Sequence, residues 1–347
     1  MRLLPCFFAF LPPFRKKADF SHNAFLFYRY PHIIREIRPN RWLILRLLAY
    51  NSRVMKRTEL LNTKTKTLLA VFAIYFLCFA FRFFEYFIIR TDQTFFGEAF
   101  IHKLIGIGIM VGALFLFGYK FKDIGFKTGK AFLDILKGLA FGLGIFVIAY
   151  GVEILILVGS GEFQSLELYV SAYSVNGNLG KRTDFVFFLI CIIGNVINVL
   201  MEEGVFRGLF QKMLGDHYKF VIAGIIASAL FGVWHIMSPL RSYIDGEMSL
   251  GGYIANTAML IGTSALVGFK FALIGKLTGN LYMAMGDHFV NNTIVNILHV
   301  VSNEEADHLM TIRITIAQSV SFTIVLIWYL IVYLKNKKAS QITEEAK

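Results

Sequence analysis

Residues 185–214 read FVFFLICIIGNVINVLMEEGVFRGLFQKML, an apolar run of membrane-spanning length interrupted by Glu202, Glu203 and Arg207. About 20 largely apolar residues cover the roughly 30 Å of hydrocarbon in a bilayer, so this stretch is long enough to span it and to tilt or continue past it. Ionisable groups at that depth cost several kcal/mol unless they face a protein interior or water. The stretch therefore belongs to a bundle in which other helices shelter its charged face. The whole chain agrees: 347 residues, 56% hydrophobic and 16% aromatic, with a mean hydropathy of +0.60, carry more apolar surface than a soluble domain can bury.

The same ruler gives eight spans, at about 67–89, 99–119, 131–159, 185–214, 219–238, 252–275, 279–300 and 312–334. The loops test this count independently, because cytoplasmic connections hold the Lys and Arg. Lys120, Lys122, Lys127 and Lys130, then Lys212 and Lys219, then Lys276, then Lys335, Lys337 and Lys338 fall on one side. Asp92, Glu98, Glu162, Glu167, Asp184, Asp245, Glu247, Glu304, Glu305 and Asp307 fall on the other. The expected fold class is all-α, a polytopic membrane bundle of about eight helices over 67–334, with both termini cytoplasmic and the plasma membrane of a bacterium as its place. A polar tail, 335–347, follows.

Residues 1–66 form a basic N-terminal tail, expected to be poorly ordered. Ten Arg or Lys precede residue 55 against Asp19 and Glu36, and five of the six prolines lie there. Met55-Lys56-Arg57 ahead of an apolar run makes residues 1–54 a candidate mis-called extension. The formal charge of +12 is concentrated in this tail, where it suits anionic headgroups and orientation rather than nucleic acid. Lipid is the expected partner, nucleic acid is not, and the oligomeric state is open. Cys6, Cys78 and Cys191 are too scattered for a disulfide framework. Gly138 and Gly142, and Gly224, Ser228 and Gly232, recur at four-residue spacing and predict close helix packing.

Several charged residues have bland readings. Arg82 and Glu85, three apart, can pair with each other; His102 and Lys103 lie near a span end; His217 is in a loop; His299 and His308 lie near the outer surface. The fourth, fifth and seventh spans differ. Glu203 and Arg207 are four apart and can neutralise each other as a structural ion pair, whereas Glu202 is turned about 100° away with no local partner. A desolvated carboxylate of that kind suits general acid–base chemistry near neutral pH. Counting from a turn near Asp216–Lys219, Glu202 and His235 lie at the same depth. His288 and Asn292 share a face of the seventh span, and an imidazole beside an amide can donate two hydrogen bonds to one oxygen.

Glu-Glu-x-x-x-Arg (Glu202, Glu203, Arg207), Phe-x-x-x-His (Phe231, His235) and His-x-x-x-Asn (His288, Asn292), each in its own span, resemble the CAAX protease and bacteriocin-processing intramembrane proteases, the group that includes the Ras-converting endopeptidases. The flanks Phe206-Arg207-Gly208-Leu209 and Thr278-Gly279-Asn280-Leu281 share the resemblance, which covers about 185–300. It implies an endopeptidase acting on a membrane-associated or lipidated peptide or protein. Glu202 would activate a water held by His235, and His288 with Asn292 would bind the oxyanion. No cofactor is then needed. Two alternatives stay open: a Glu202, His235 and His288 zinc site with a position left for water, and a non-catalytic immunity or scaffold protein of the same fold. A transporter using the buried carboxylates as an ion site is a more distant third.

Overall fold

A computed structural model describes residues 60–171, 180–303 and 305–345. The chain divides into Met1–Val54 and Met55–Lys347; the first unit, and the expected basic tail as far as residue 59, lie outside the described residues.

Among the described residues, nine α-helices follow. Thr63 caps α1 (Lys64–Phe84) by accepting from the Lys66 amide at 3.2 Å, and a π-helical turn, Glu85–Ile89, extends it. Next come α2 (Ile101–Phe117), α3 (Ala131–Ser160) and α4 (Phe185–Glu202). The last runs on through a π-helical stretch, Glu203–Phe210, into Gln211–Gly215. Then come α5 (Phe220–Trp234), α6 (Met237–Ile244), α7 (Leu250–Thr278), α8 (Tyr282–Ile297) and α9 (Met310–Glu345). Two short strands, β1 (Phe163–Leu168) and β2 (Leu298–Ser302), pair antiparallel. Among the described residues, six helical segments are long and apolar enough to cross a membrane, and α2 is a shorter apolar helix. The protein is an integral membrane helix bundle.

Eight of these helices coincide with the eight expected spans, but the seventh differs in character. α8 has 16 residues, about 24 Å of rise, and carries Asp287, His288, Asn291, Asn292 and Asn296. It packs against α3, α4 and α7 rather than meeting lipid alone. Its apolar run does not continue as helix to residue 300, because from Leu298 the chain pairs with β1 through the β-branched Val300 and Val301. The fifth span also stops early, at Trp234, and turns into α6.

Small residues set the closest approaches, as their spacing predicts. A Cβ on Gly138 of α3 would lie 2.1 Å from the Met283 carbonyl of α8, and one on Gly286 would lie 2.5 Å from the Ile135 carbonyl. Gly142 faces Val290 and Asp287 in the same seam. On α5, Gly224 meets Phe269 and Gly232 meets the Ile261 carbonyl of α7. Gly138→Ala should lower stability by about 1–3 kcal/mol, because backbone cannot yield as a side chain does. Thermal unfolding in detergent would check this, with the exposed Gly144→Ala as the neutral comparison.

Beside the β1–β2 ribbon, the structure corrects the expectation that His299 lies at the surface. Its ring is buried and stacked on Tyr169 with centroids 3.8 Å apart. Nδ1–H donates to Asp307 at 2.5 Å, and Arg313 bridges Asp307 and Glu153 at 2.8 Å each. Burial raises the Asp307 pKa, but the His299 and Arg313 hydrogen bonds outweigh it and hold the carboxyl below its usual range. Asp307 therefore contributes stability that is present above the unfolded carboxyl pKa of about 4 and lost as pH falls through the lower folded value. Acid titration of stability should show this loss, and Asp307→Asn should be less stable at pH 7 yet show a flatter profile below about pH 4.

Candidate active site

The site grows from the irregularity in α4. Gly204 and Gly208 lie in its π-helical stretch and clear space for neighbours: a Cβ on Gly204 would meet Met110 Sδ at 2.6 Å, and one on Gly208 the Ile124 carbonyl at 3.0 Å. Such stretches re-aim side chains within a continuous helix and recur at functional sites. Here two successive carboxylates reach the same imidazole. His288 Nδ1 lies 2.8 Å from Glu203 Oε1, and His288 Nε2 lies 3.5 Å from Glu202 Oε2. Glu202 and His288 are 4% and 3% exposed and Glu203 is fully buried. Phe271 of α7 stacks on the His288 ring with centroids 4.8 Å apart, which fixes its plane.

Glu203 therefore does more than the expected ion pair. Arg207 Nη1 approaches Glu203 Oε1 at 3.5 Å, a longer contact than the one from His288. The Arg207 guanidinium lies 3.8 Å from the Phe231 ring centroid, and its Nε donates to the Gly268 carbonyl at 3.3 Å. Gly268 leaves room for it, since a Cβ there would stand 3.2 Å from Arg207 Nη2. A guanidinium held between aromatic faces keeps its charge while losing water, and here it approaches the same Glu203 oxygen that His288 contacts.

Glu202 is not without a local partner, as the helical count suggests. Asn198, one turn earlier, donates to Oε2 at 3.3 Å, and the Trp234 indole N–H donates to Oε1 at 3.1 Å. Trp234 is the last residue of α5, so the acid and His235 lie at one depth, as expected. His235 caps that helix, with Nδ1–H donating to the orphan Phe231 carbonyl at 2.8 Å. That bond leaves Nε2 with a lone pair. The half-buried His235 is also within Coulombic range of Glu202 and His288. The break at His235 is held by α6, whose buried Arg241 reaches Asp92 at 2.7 Å and Asp245 at 3.3 Å, while Arg90 donates twice to Asp245.

Asn292 lies one turn beyond His288 on α8 and is half-buried. Its side-chain oxygen accepts from Asn291 at 3.4 Å and its carbonyl from Asn296 at 2.7 Å.

The wall behind the site overturns two expectations. Arg82 and Glu85 do not pair: Glu85 accepts from the Ile101 amide at 2.9 Å, from the His102 amide and ring, and from Thr91. Arg82 instead stacks on Trp234 at 4.4 Å and reaches the Tyr86 hydroxyl at 3.3 Å. His102 and Lys103 are buried rather than snorkelling, each held by a carboxylate, His102 by Glu85 and Lys103 by Glu98. Trp234 and Arg82 are neighbours of Glu202 that spacing alone does not nominate, whereas Asn198, four residues before it, follows the helical spacing. Trp234 was readable only as an aromatic next to a candidate histidine. A second intramembrane pair, Lys270 with Asp287 at 2.8 Å, ties α7 to α8 beside His288.

Among the described residues, no group of three or more His, Cys, Asp or Glu is arranged to hold a metal ion. Glu202, His235 and His288, the set a zinc site would draw on, do not form one as placed. No curated protein matches the chain. Residues 184–294, which contain α4 through most of α8 and every side chain of the candidate site except those of the Arg82 wall, match the family description "Type II CAAX prenyl endopeptidase Rce1-like". The site-bearing segment of this chain is thus similar to the Rce1-like type II CAAX prenyl endopeptidases, a likeness that supports a membrane protease.

Proposed function

We propose that the protein is an intramembrane endopeptidase in which Glu202 activates water without a metal. The observation that carries this reading is the facing of Glu202 Oε2 and His288 Nε2 across 3.5 Å, both buried and with His235 level beside them. That separation is longer than a hydrogen bond and leaves room for both atoms to engage a water or a carbonyl between them, Oε2 keeping a lone pair beside the one that accepts from Asn198. Glu202 takes a proton from the water as it attacks the scissile carbonyl carbon, and His235 Nε2 accepts the water's other hydrogen bond. The tetrahedral oxyanion receives hydrogen bonds from Asn292 Nδ2 and from His288 Nε2–H, whose positive charge is balanced by Glu203 on Nδ1. Protonated Glu202 then returns its proton to the leaving amine as the C–N bond breaks.

The substrate class is an apolar or lipidated peptide or membrane protein. A cavity of about 530 Å³ between α7 and α9 supports this: Met259, Leu260, Leu266, Val267, Ile314 and Phe322 line it. Gln318, also in its wall, donates to Asn291 Oδ1 at 2.5 Å, and Asn291 donates on to Asn292. The cavity is thus linked by amides to the proposed oxyanion donor. Lysines in the α2–α3 connection, around the α4–α5 turn and in the last turn of α7 support cytoplasmic termini in a bacterial plasma membrane, with lipid rather than nucleic acid as the surrounding partner.

With purified protein and a fluorogenic prenylated CAAX peptide, Glu202→Gln and His235→Ala should each reduce kcat by about 10²–10⁴, and Asn292→Ala by about 10²–10³. Wild-type activity should survive chelation. Loss on chelation with recovery in zinc would replace this mechanism, and wild-type turnover in Glu202→Gln would end it. Narrowing the cavity with Leu266→Trp should raise KM for the prenylated peptide about tenfold and leave that of an unprenylated analogue unchanged; equal effects on both would remove the cavity from substrate binding.

A further inference from the structure

We propose that Trp234 and Arg82 act together as a positioning pair that holds Glu202 with Oε2 turned to the reaction and Oε1 turned away. This rests on the reading of Glu202 as the general base. Three independent features of the bundle converge on it.

The first is division of labour on the carboxylate. Oε1 accepts the Trp234 indole N–H at 3.1 Å, while Oε2 faces His288 and accepts from Asn198. Trp234 is fully buried, wedged edge-on among Tyr75, Phe79 and Phe206, so its ring has no freedom to swing away. A carboxylate on a two-carbon stem has several rotamers, and one donor from a locked ring selects among them.

The second is the state of Arg82. It is buried, and among the described residues no carboxylate lies within ion-pair distance of it; Glu85, its natural partner on α1, is taken by Thr91, Ile101 and His102. A buried guanidinium without a carboxylate is costly, so a structure that keeps one gives it other work. Arg82 has the Tyr86 ring at 5.1 Å and the Trp234 ring at 4.4 Å, and its charge reaches Glu202.

The third is direction. A cation over the indole face draws electron density from the ring, which makes the N–H a stronger donor toward Glu202. Arg82 thus acts on the acid through Trp234 as well as through space. The other charged groups facing Glu202 are His288, His235 and Lys103; Glu203 is engaged with His288 and Arg207, and Lys103 with Glu98. His102 packs against Trp234 with centroids 5.8 Å apart and is occupied by Glu85. Arg82 alone among these cations has neither a carboxylate of its own nor a place in the proposed chemistry.

A purely structural role for Trp234 predicts that another large aromatic will do. The full-length protein in detergent, assayed with the fluorogenic prenylated CAAX peptide, separates the two roles. Trp234→Phe keeps the ring for Arg82 and the packing but removes the N–H, and should lower kcat about tenfold to a hundredfold while KM stays within about twofold. Arg82→Met should lower kcat in the same way, and Arg82→Lys should recover most of it. Melting temperatures show which variants are folded; if Arg82→Met is not, the conservative Trp234→Phe decides. Wild-type kcat in Trp234→Phe, or a loss in it that falls on KM, overturns the positioning pair. Glu202→Gln is run alongside: full activity there removes the general base itself, whereas an inactive Glu202→Gln with an unaffected Trp234→Phe removes the pair alone.

Discussion

A charge taken out of water must find its counterpart within the protein, and this bundle is organised around that demand at one imidazole. His288 sits between two successive carboxylates of α4, one on each ring nitrogen. Everything near it serves to keep that arrangement in place. Arg207 balances Glu203, Phe271 fixes the ring plane, and the Lys270–Asp287 pair pins α8 beside α7. The same demand is met at the two far edges by Arg241 with Asp92 and by Arg313 with Glu153. Breaking any one of these pairs by removing a single partner leaves an uncompensated charge in a medium that solvates it poorly. The polar residues are therefore cross-braces as much as chemistry, and they join the turn after α1 to α6, α3 to α9, α4 to α8 and α7 to α8.

Much of this was legible because membranes simplify the code. Span length and the alternation of lysine-bearing and acid-bearing loops located the helices, and glycine spacing located the tight seams at Gly138, Gly142, Gly224 and Gly232. Glu202, Glu203, Arg207, His235, His288 and Asn292 stood out because each is expensive where it lies. What escaped was partner choice. Arg82 and Glu85 have pairing geometry along an ideal helix, but α1 turns π-helical at Glu85, which swings the carboxylate toward His102 and Thr91. Glu203 and Arg207 satisfy the four-residue rule, yet a histidine 85 residues away makes the shorter contact. His299 reads as a surface residue beside acids, but a short β ribbon carries it inward. Local spacing nominates partners; tertiary packing elects them.

The family match and the geometry address different questions. The matched segment, 184–294, shows which proteases the chain resembles and covers α4 through most of α8. The acid it carries, however, rests on a wall from outside that segment, since Arg82 and His102 come from α1 and α2 and both pack on Trp234, which donates to Glu202. A domain boundary drawn by sequence similarity thus cuts through one continuous polar and aromatic cluster.

The contact between Gly138 and Gly286 bears on how a bulky guest gets in. At that crossing two main chains touch with nothing between them, so there is no rotamer to flip and no slack to take up. α3 and α8 must consequently breathe as a single plank. Entry of the proposed polypeptide substrate would fall to softer seams, where long flexible side chains meet, and the Met- and Leu-lined boundary of α7 with α9 is such a seam. A joint of bare main chain at α3 and α8 would thereby leave the α7–α9 wall to act as the door for the proposed substrate.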